Sequence, residues 1–217
     1  MRPTQQRAGH SRSADVAAAR EDAGVEGNSR LTAVNGVILI VLLFVEGITI
    51  LQIRGLITLH VFIGFMLVGP VALKCASTIY RFARYYSGRP AYVRRGPPAP
   101  ALRLLGPLVI LSSVLVLGTG IGLLAVRPGN AGLLLTAHQA SFIIWIVLMT
   151  IHVLGHLREA GATSVRELRS SANDAAARRR AGRAVALATA LVVGVGIAAV
   201  FTPTATAWVG YRSQSGN

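Results

Sequence analysis

Residues 57–74 read Ile57-Thr58-Leu59-His60-Val61-Phe62-Ile63-Gly64-Phe65-Met66-Leu67-Val68-Gly69-Pro70-Val71-Ala72-Leu73-Lys74, and the apolar run continues to Tyr80. In the quoted stretch only His60 and Lys74 ionise. An apolar run of about 20 residues is long enough to cross a bilayer as a helix. Four more blocks have the same character: Leu31 to Gln52, Ala101 to Val126, Leu133 to Leu157, and Ala184 to Val200 or slightly beyond. The expected architecture is therefore an all-α integral membrane bundle of five transmembrane helices, with spans near 31–52, 57–80, 101–126, 133–157 and 184–203. Composition agrees, with 53% hydrophobic and 14% charged residues in a chain of 217 and a mean hydropathy of +0.56. A soluble domain carries about a quarter charged residues.

A formal net charge of +14 invites a nucleic-acid reading, but the placement of the arginines argues otherwise. Arg2, Arg7, Arg12, Arg20 and Arg30 precede the first span. Arg81, Arg84, Arg89, Arg94, Arg95 and Arg103 lie between the second and third, and Arg158, Arg166, Arg169, Arg178, Arg179, Arg180 and Arg183 between the fourth and fifth. The other three connections and tails carry one each, Arg54, Arg127 and Arg212. Basic residues collect on the cytoplasmic side of membrane proteins. The bias thus predicts a cytoplasmic N-terminus and an external C-terminus, with lipid rather than nucleic acid as the partner of the charge. Residues 1–30 lack the apolar core of a cleavable signal and read as a disordered cytoplasmic tail; residues 204–217 read as a short external tail. The dominance of arginine over the single lysine, with abundant alanine and glycine, is associated with bacterial genomes and suggests a bacterial plasma membrane. One cysteine, Cys75, leaves no internal disulfide, thiolate cluster or covalent haem motif.

With that topology, His60 and His138 each fall near the external start of a span, the second and the fourth. Glu46 lies about two turns from the external end of the first. The string Gly118-Thr119-Gly120-Ile121-Gly122 belongs to the same layer, and Gly64 lies one turn from His60 on the same helix face. Ionisable groups inside membranes are costly and by default mark function. Two imidazoles on facing helices are what an electron-transfer haem requires, because two axial side chains close the iron to other ligands. His60 and His138 are the expected ligands of one haem b, with Gly64 and Gly120 giving a flat ring close approach to backbone. Glu46, Thr136 or a backbone carbonyl would orient the second ring nitrogen of each imidazole. Arg54 and Arg127, in the short external connections, would pair with haem propionates. A weaker inner layer holds His152, 14 residues after His138 and about 21 Å along the helix, then His156 one turn on. Its counterpart 14 residues after His60 is Lys74.

The strings Leu59-His60-Val61-Phe62-Ile63-Gly64, Tyr80-Arg81-Phe82-Ala83-Arg84-Tyr85-Tyr86, Ala137-His138-Gln139-Ala140-Ser141-Phe142 and His152-Val153-Leu154-Gly155-His156 together resemble the cytochrome b561-like four-helix membrane b-type cytochromes, including small bacterial members. The resemblance covers the first four spans. It implies that they form a four-helix haem-binding core and that the protein passes electrons across or along the membrane. Lys74 departs from it, standing where a two-haem relative would be expected to carry histidine.

Plainer readings compete for each residue. His60 and His138 could be polar residues that only tie helices together. His152 and His156 could reach water or lipid heads, or with Glu159 hold a metal ion, although no HExxH or carboxylate cluster supports one. Lys74 could snorkel its ammonium to the cytoplasmic surface, and Glu46 could pair with Arg54. Gly69-Pro70 is expected to kink the second span. The segment Ser87 to Pro100, rich in proline and glycine, is expected to lack helix and to anchor at the lipid surface through Tyr85, Tyr86 and Tyr92. A surface helix is expected between Arg158 and Arg183. Gly194 and Gly196 suit close packing of the fifth span.

The function expected is an electron carrier without a substrate site of its own, in keeping with the membrane subunit of an oxidoreductase, with a redox partner protein or a quinone as partner. The alternative is a cofactor-free small membrane protein, transporter-like or an assembly or scaffold component, in which Glu46, His60 and Lys74 line a polar path.

Overall fold

The computed structural model describes the backbone of residues 3–96, 100–169 and 174–214, and the side chains of residues 16–96, 103–155 and 179–211. Helices account for nearly all of it: α1 (Pro3–Leu51), α2 (Ile53–Tyr86), α3 (Pro90–Arg94), α4 (Pro100–Leu124), α5 (Gly132–Arg169), α6 (Asp174–Phe201) and α7 (Thr206–Gln214). Five segments are long and apolar enough to cross a membrane: Val16–Leu51, Ile53–Tyr86, Arg103–Leu124, Gly132–Gly155 and Arg179–Tyr211. The protein is an all-α, multi-pass membrane bundle, and its spans contact lipid.

Two antiparallel hairpins, α1 with α2 and α4 with α5, and the packing of α6 along α2 make the core. In the first, the seam is written in alternating steps of three and four residues, the spacing of interlocking helices. On α1 it runs Asn28, Thr32, Asn35, Leu39, Leu42, Glu46 and Thr49; on α2 it runs Ser77, Lys74, Pro70, Leu67, Ile63 and His60. Its middle is apolar, with Leu39, Ile63 and Leu67 buried together. Its basic end is polar: Asn28 Nδ2 donates to the Ser77 carbonyl (3.2 Å), Thr32 and Ser77 share a hydroxyl bond (2.6 Å), and Asn35 Nδ2 donates to the Pro70 carbonyl (2.8 Å). Hydrophobic burial gives no drive between helices in lipid, so packing and such bonds hold the pair. The second hairpin is pinned by Trp145 Nε1 donating to Ser113 Oγ at 2.9 Å.

α1 turns into α2 at Gln52, whose carbonyl accepts from the Gly55 and Leu56 amides, both at 3.0 Å. The backbone leaves helical geometry at Leu56 (φ −114°, ψ 16°), so regular α2 begins at Ile57. That is where the break in α2 falls. The expected kink at Gly69-Pro70 is not seen as a departure in the dihedrals, which remain helical there.

Pro70 has a different consequence. Lacking an N–H, it leaves the Met66 carbonyl without its usual helical donor. Gly194 of α6 packs its Cα against that carbonyl, and Gly69 packs against the Ala190 carbonyl; a Cβ on either glycine would collide with main chain. Cα–H to carbonyl contacts of this kind recur where helices touch through glycine. Of the two glycines expected to serve close packing, Gly194 does so and Gly196 has open space beside it.

Three further expectations are corrected. From Pro3 on, the segment read as a disordered tail belongs to α1, and Val25 in it is buried against Ala91 and Tyr92. Ser87 to Pro100 contains α3, which starts at Pro90, where a proline costs no helical bond. Arg94 reaches Asp22 (2.7 Å) and Arg95 reaches Glu26 (3.1 Å) from it. Instead of a separate surface helix, α5 continues to Arg169 and α6 starts at Asp174; residues 170–173 lie outside the described residues. The segment read as a short external tail carries a short helix. A 3₁₀ turn, Thr202–Ala205, leads into α7, and Trp208 buries itself with Ile57, Leu123 and Ala131. Its Nε1 donates (3.1 Å) to the Leu123 carbonyl in the final turn of α4, a carbonyl that otherwise receives only the long 3.5 Å bond from the Val126 amide.

Candidate functional site

The end of the bundle that carries the α1–α2 and α4–α5 turns brings His60 and His138 together. Their ring centroids are 6.4 Å apart and the planes stand at 74°. The helices that carry them, α2 and α5, have no extensive backbone contact with each other; α1 lies against both. The histidines thus meet across the bundle rather than along a packed seam.

Each ring is held by the preceding helix of its own hairpin, in the same way. Thr49 Oγ1 of α1 lies 3.1 Å from His60 Nδ1, and Thr119 Oγ1 of α4 lies 3.1 Å from His138 Nδ1. Each hydroxyl has its proton spent on its own helix, Thr49 on the Glu46 carbonyl (2.6 Å) and Thr119 on the Leu115 carbonyl (2.7 Å). A hydroxyl whose proton is committed can only accept from the imidazole. Glu46 Oε1 also lies 3.0 Å from His60 Nδ1, and a carboxylate only accepts. Both rings are therefore assigned as the tautomer with the proton on Nδ1 and a lone pair on Nε2. Nε2 is the nitrogen each offers to a metal.

The glycines named with the histidines have distinct surroundings. A Cβ on Gly120 would sit 3.1 Å from His138 Cε1, so α4 approaches that ring more closely than most side chains allow. A Cβ on Gly64 would meet Glu46 Oε1 at 3.5 Å, an ordinary contact. Arg54 and Arg127 are exposed in or beside the two turns at this end. Thr136, considered as an acceptor for a ring nitrogen, donates to the Gly132 carbonyl of its own helix (3.0 Å). Glu46 is paired with His60.

The inner layer is not assembled in the same way. Lys74 does not follow the helix surface outward: its Nζ donates to the Thr32 carbonyl of α1 (2.9 Å), and Gly36 makes room for it, since a Cβ there would lie 3.3 Å from Nζ. His152 is half-buried on α5, and the side chain of His156 lies outside the described residues.

Sequence reading missed Thr49 and Thr119. Thr119 had a signal, a hydroxyl between two glycines opposite a histidine. Thr49 lies one turn beyond Glu46 on the same α1 seam as Asn35, and that three-and-four spacing was the signal for it.

Two imidazoles are a short ligand set. Among the described residues no group of three or more His, Cys, Asp or Glu side chains could hold a metal ion. A bare zinc ion takes four ligands, whereas a metal already held in a macrocycle needs only two more. Two imidazoles each about 2 Å from one metal, with each ring centre about an ångström further out, would place their centroids roughly 6 Å apart. The pair fits that spacing. No family model matches the chain, and no curated protein or solved structure matches it.

Proposed function

We propose that this is an integral membrane b-type cytochrome-like electron carrier that binds one haem b between α2 and α5, with His60 and His138 as axial ligands. The observation that carries the reading is the pair itself. Two rings on helices that scarcely touch have their centroids 6.4 Å apart, and each Nδ1 lies 3.1 Å from a threonine hydroxyl of the neighbouring helix, which leaves Nε2 as the nitrogen for a ligand bond. A haem bound there would supply a one-electron couple. The chain's part is to present two Nε2 lone pairs, fix both ring orientations through Thr49, Glu46 and Thr119, and keep side chains out of the gap at Gly120.

The site lies towards one end of the bundle. At the other, Lys74 is committed to α1, so the reading is of one haem and of electron exchange at one face. A redox partner protein or a quinone would be the electron donor or acceptor, and a substrate-converting activity would belong to a separate subunit. The resemblance to the cytochrome b561-like group and the arginine bias favour a bacterial plasma membrane, with the N-terminus cytoplasmic and the C-terminus external. A C-terminal reporter active only outside the cytoplasm tests that orientation.

The decisive measurement is a dithionite-reduced minus oxidised visible spectrum of the purified protein, expressed with ample haem. A sharp α-band that vanishes in His60→Ala and in His138→Ala is expected. A wild-type protein that carries no haem under those conditions overturns the reading in favour of a cofactor-free membrane protein.

A further inference from the structure

We infer that Glu46 is a positioning residue that makes the two axial histidines unequal and holds the centre at a lower reduction potential than its histidines alone would give. The inference rests on the haem reading above. The two hairpins treat their histidines alike in one respect, a threonine hydroxyl 3.1 Å from Nδ1 on each side. They differ in another. His60 Nδ1 also meets a carboxylate oxygen at 3.0 Å, while the neighbours of the His138 ring are neutral, the Thr119 hydroxyl and the Val116 carbonyl.

The carboxylate is largely buried between α1 and α2, with the His60 ring as its close donor. Thr49 Oγ1 lies 3.3 Å from Glu46 Oε2, and the Glu46 side chain is 12% exposed. Gly64 of α2 leaves the space that Oε1 occupies, with ordinary contact even for an added Cβ. An Nδ1–H donated to a carboxylate is a charge-assisted bond, about twice as strong as one to a neutral oxygen. It pushes electron density onto the imidazole, makes Nε2 a stronger donor, and so favours the ferric over the ferrous metal. His138 has no matching push.

The test is the midpoint potential of the haem-loaded, full-length protein and of two variants whose predicted shifts have opposite sign. Glu46→Gln keeps an acceptor near His60 but removes the charge. It is expected to raise the potential by about 59 mV or more, a tenfold change in the ferrous-to-ferric ratio. Thr49→Val removes the competing hydroxyl and leaves Glu46 as the acceptor for Nδ1, so it is expected to lower the potential. A haem-bearing Glu46→Gln protein with the wild-type potential overturns the inference and leaves the haem reading standing. So does a Thr49→Val potential that rises or stays unchanged, which also decides the matter where Glu46→Gln fails to retain haem. A wild-type protein without an α-band removes both readings together.

Discussion

Asn35 donates from α1 to the main-chain carbonyl of Pro70 on α2 at 2.8 Å, and the asparagine is 1% exposed. That carbonyl can still accept from its own helix, so Asn35→Ala removes a bond without stranding a charge. Interhelical bonds in membranes average well under 1 kcal/mol and reach about 1.7. Asn35→Ala should destabilise the bundle by about 1 kcal/mol in a detergent-denaturant titration.

Gly69 and Gly194 should tolerate nothing larger. Gly69→Ala or Gly194→Ala places a methyl into the backbone of the facing helix, and over-packing of this kind costs about 1–3 kcal/mol. Gly196→Ala on the same helix meets open space and should be neutral or slightly stabilising, since alanine favours helix by about 1 kcal/mol over glycine. Unfolding of the three variants in parallel checks the contrast, and equal effects would refute the packing.

The two glycines beside the histidines should separate in the same way. Gly120→Ala brings a Cβ to 3.1 Å from the His138 ring, whereas Gly64→Ala brings one to 3.5 Å from Glu46 Oε1. If the protein holds haem as proposed, the first should reduce haem retention several-fold and the second should leave it near wild type, read from haem absorbance per protein.

Trp208→Phe keeps an aromatic ring among Ile57, Leu123 and Ala131 but deletes the bond to the Leu123 carbonyl. A loss of about 1 kcal/mol is expected. Trp208→Ala should also free α7, seen as faster proteolysis after Phe201.

The contacts between Arg94 and Asp22 and between Arg95 and Glu26 are largely exposed. Exposed ion pairs contribute under about 1 kcal/mol. Asp22→Asn should therefore change stability little, while Tyr92→Ala, which removes a ring buried beside Val25, should loosen the amino-terminal part of α1 measurably by hydrogen exchange.

The spans were legible because a bilayer imposes length and polarity on each segment separately. Ile57 could be read as the start of the second, and the histidines that meet at 6.4 Å could be named. What could not be read depends on pairs. Nothing in the polar stretch before Arg30 shows that Val25 has Tyr92 to pack on, because that contact joins α1 to α3. Thr49 and Thr119 matter through histidines 11 and 19 residues away, and a threonine in an apolar run otherwise reads as filler. The partner of Lys74 was out of reach for a related reason: it is the main-chain carbonyl of Thr32, which no sequence advertises.

The contact between Gly194 and the Met66 carbonyl also sets an order in time. α2 leaves the ribosome long before α6, so the first two hairpins enter the bilayer with the groove at Gly69-Pro70 facing lipid tails. Lipid offers that carbonyl no hydrogen to replace the one proline withholds. The arrival of α6 closes the groove, and α7 then closes over the turn end through Trp208. The docking of α6 and then α7 is in this sense the last act of assembly, and conditions that delay it should catch the chain with the Met66 carbonyl uncovered.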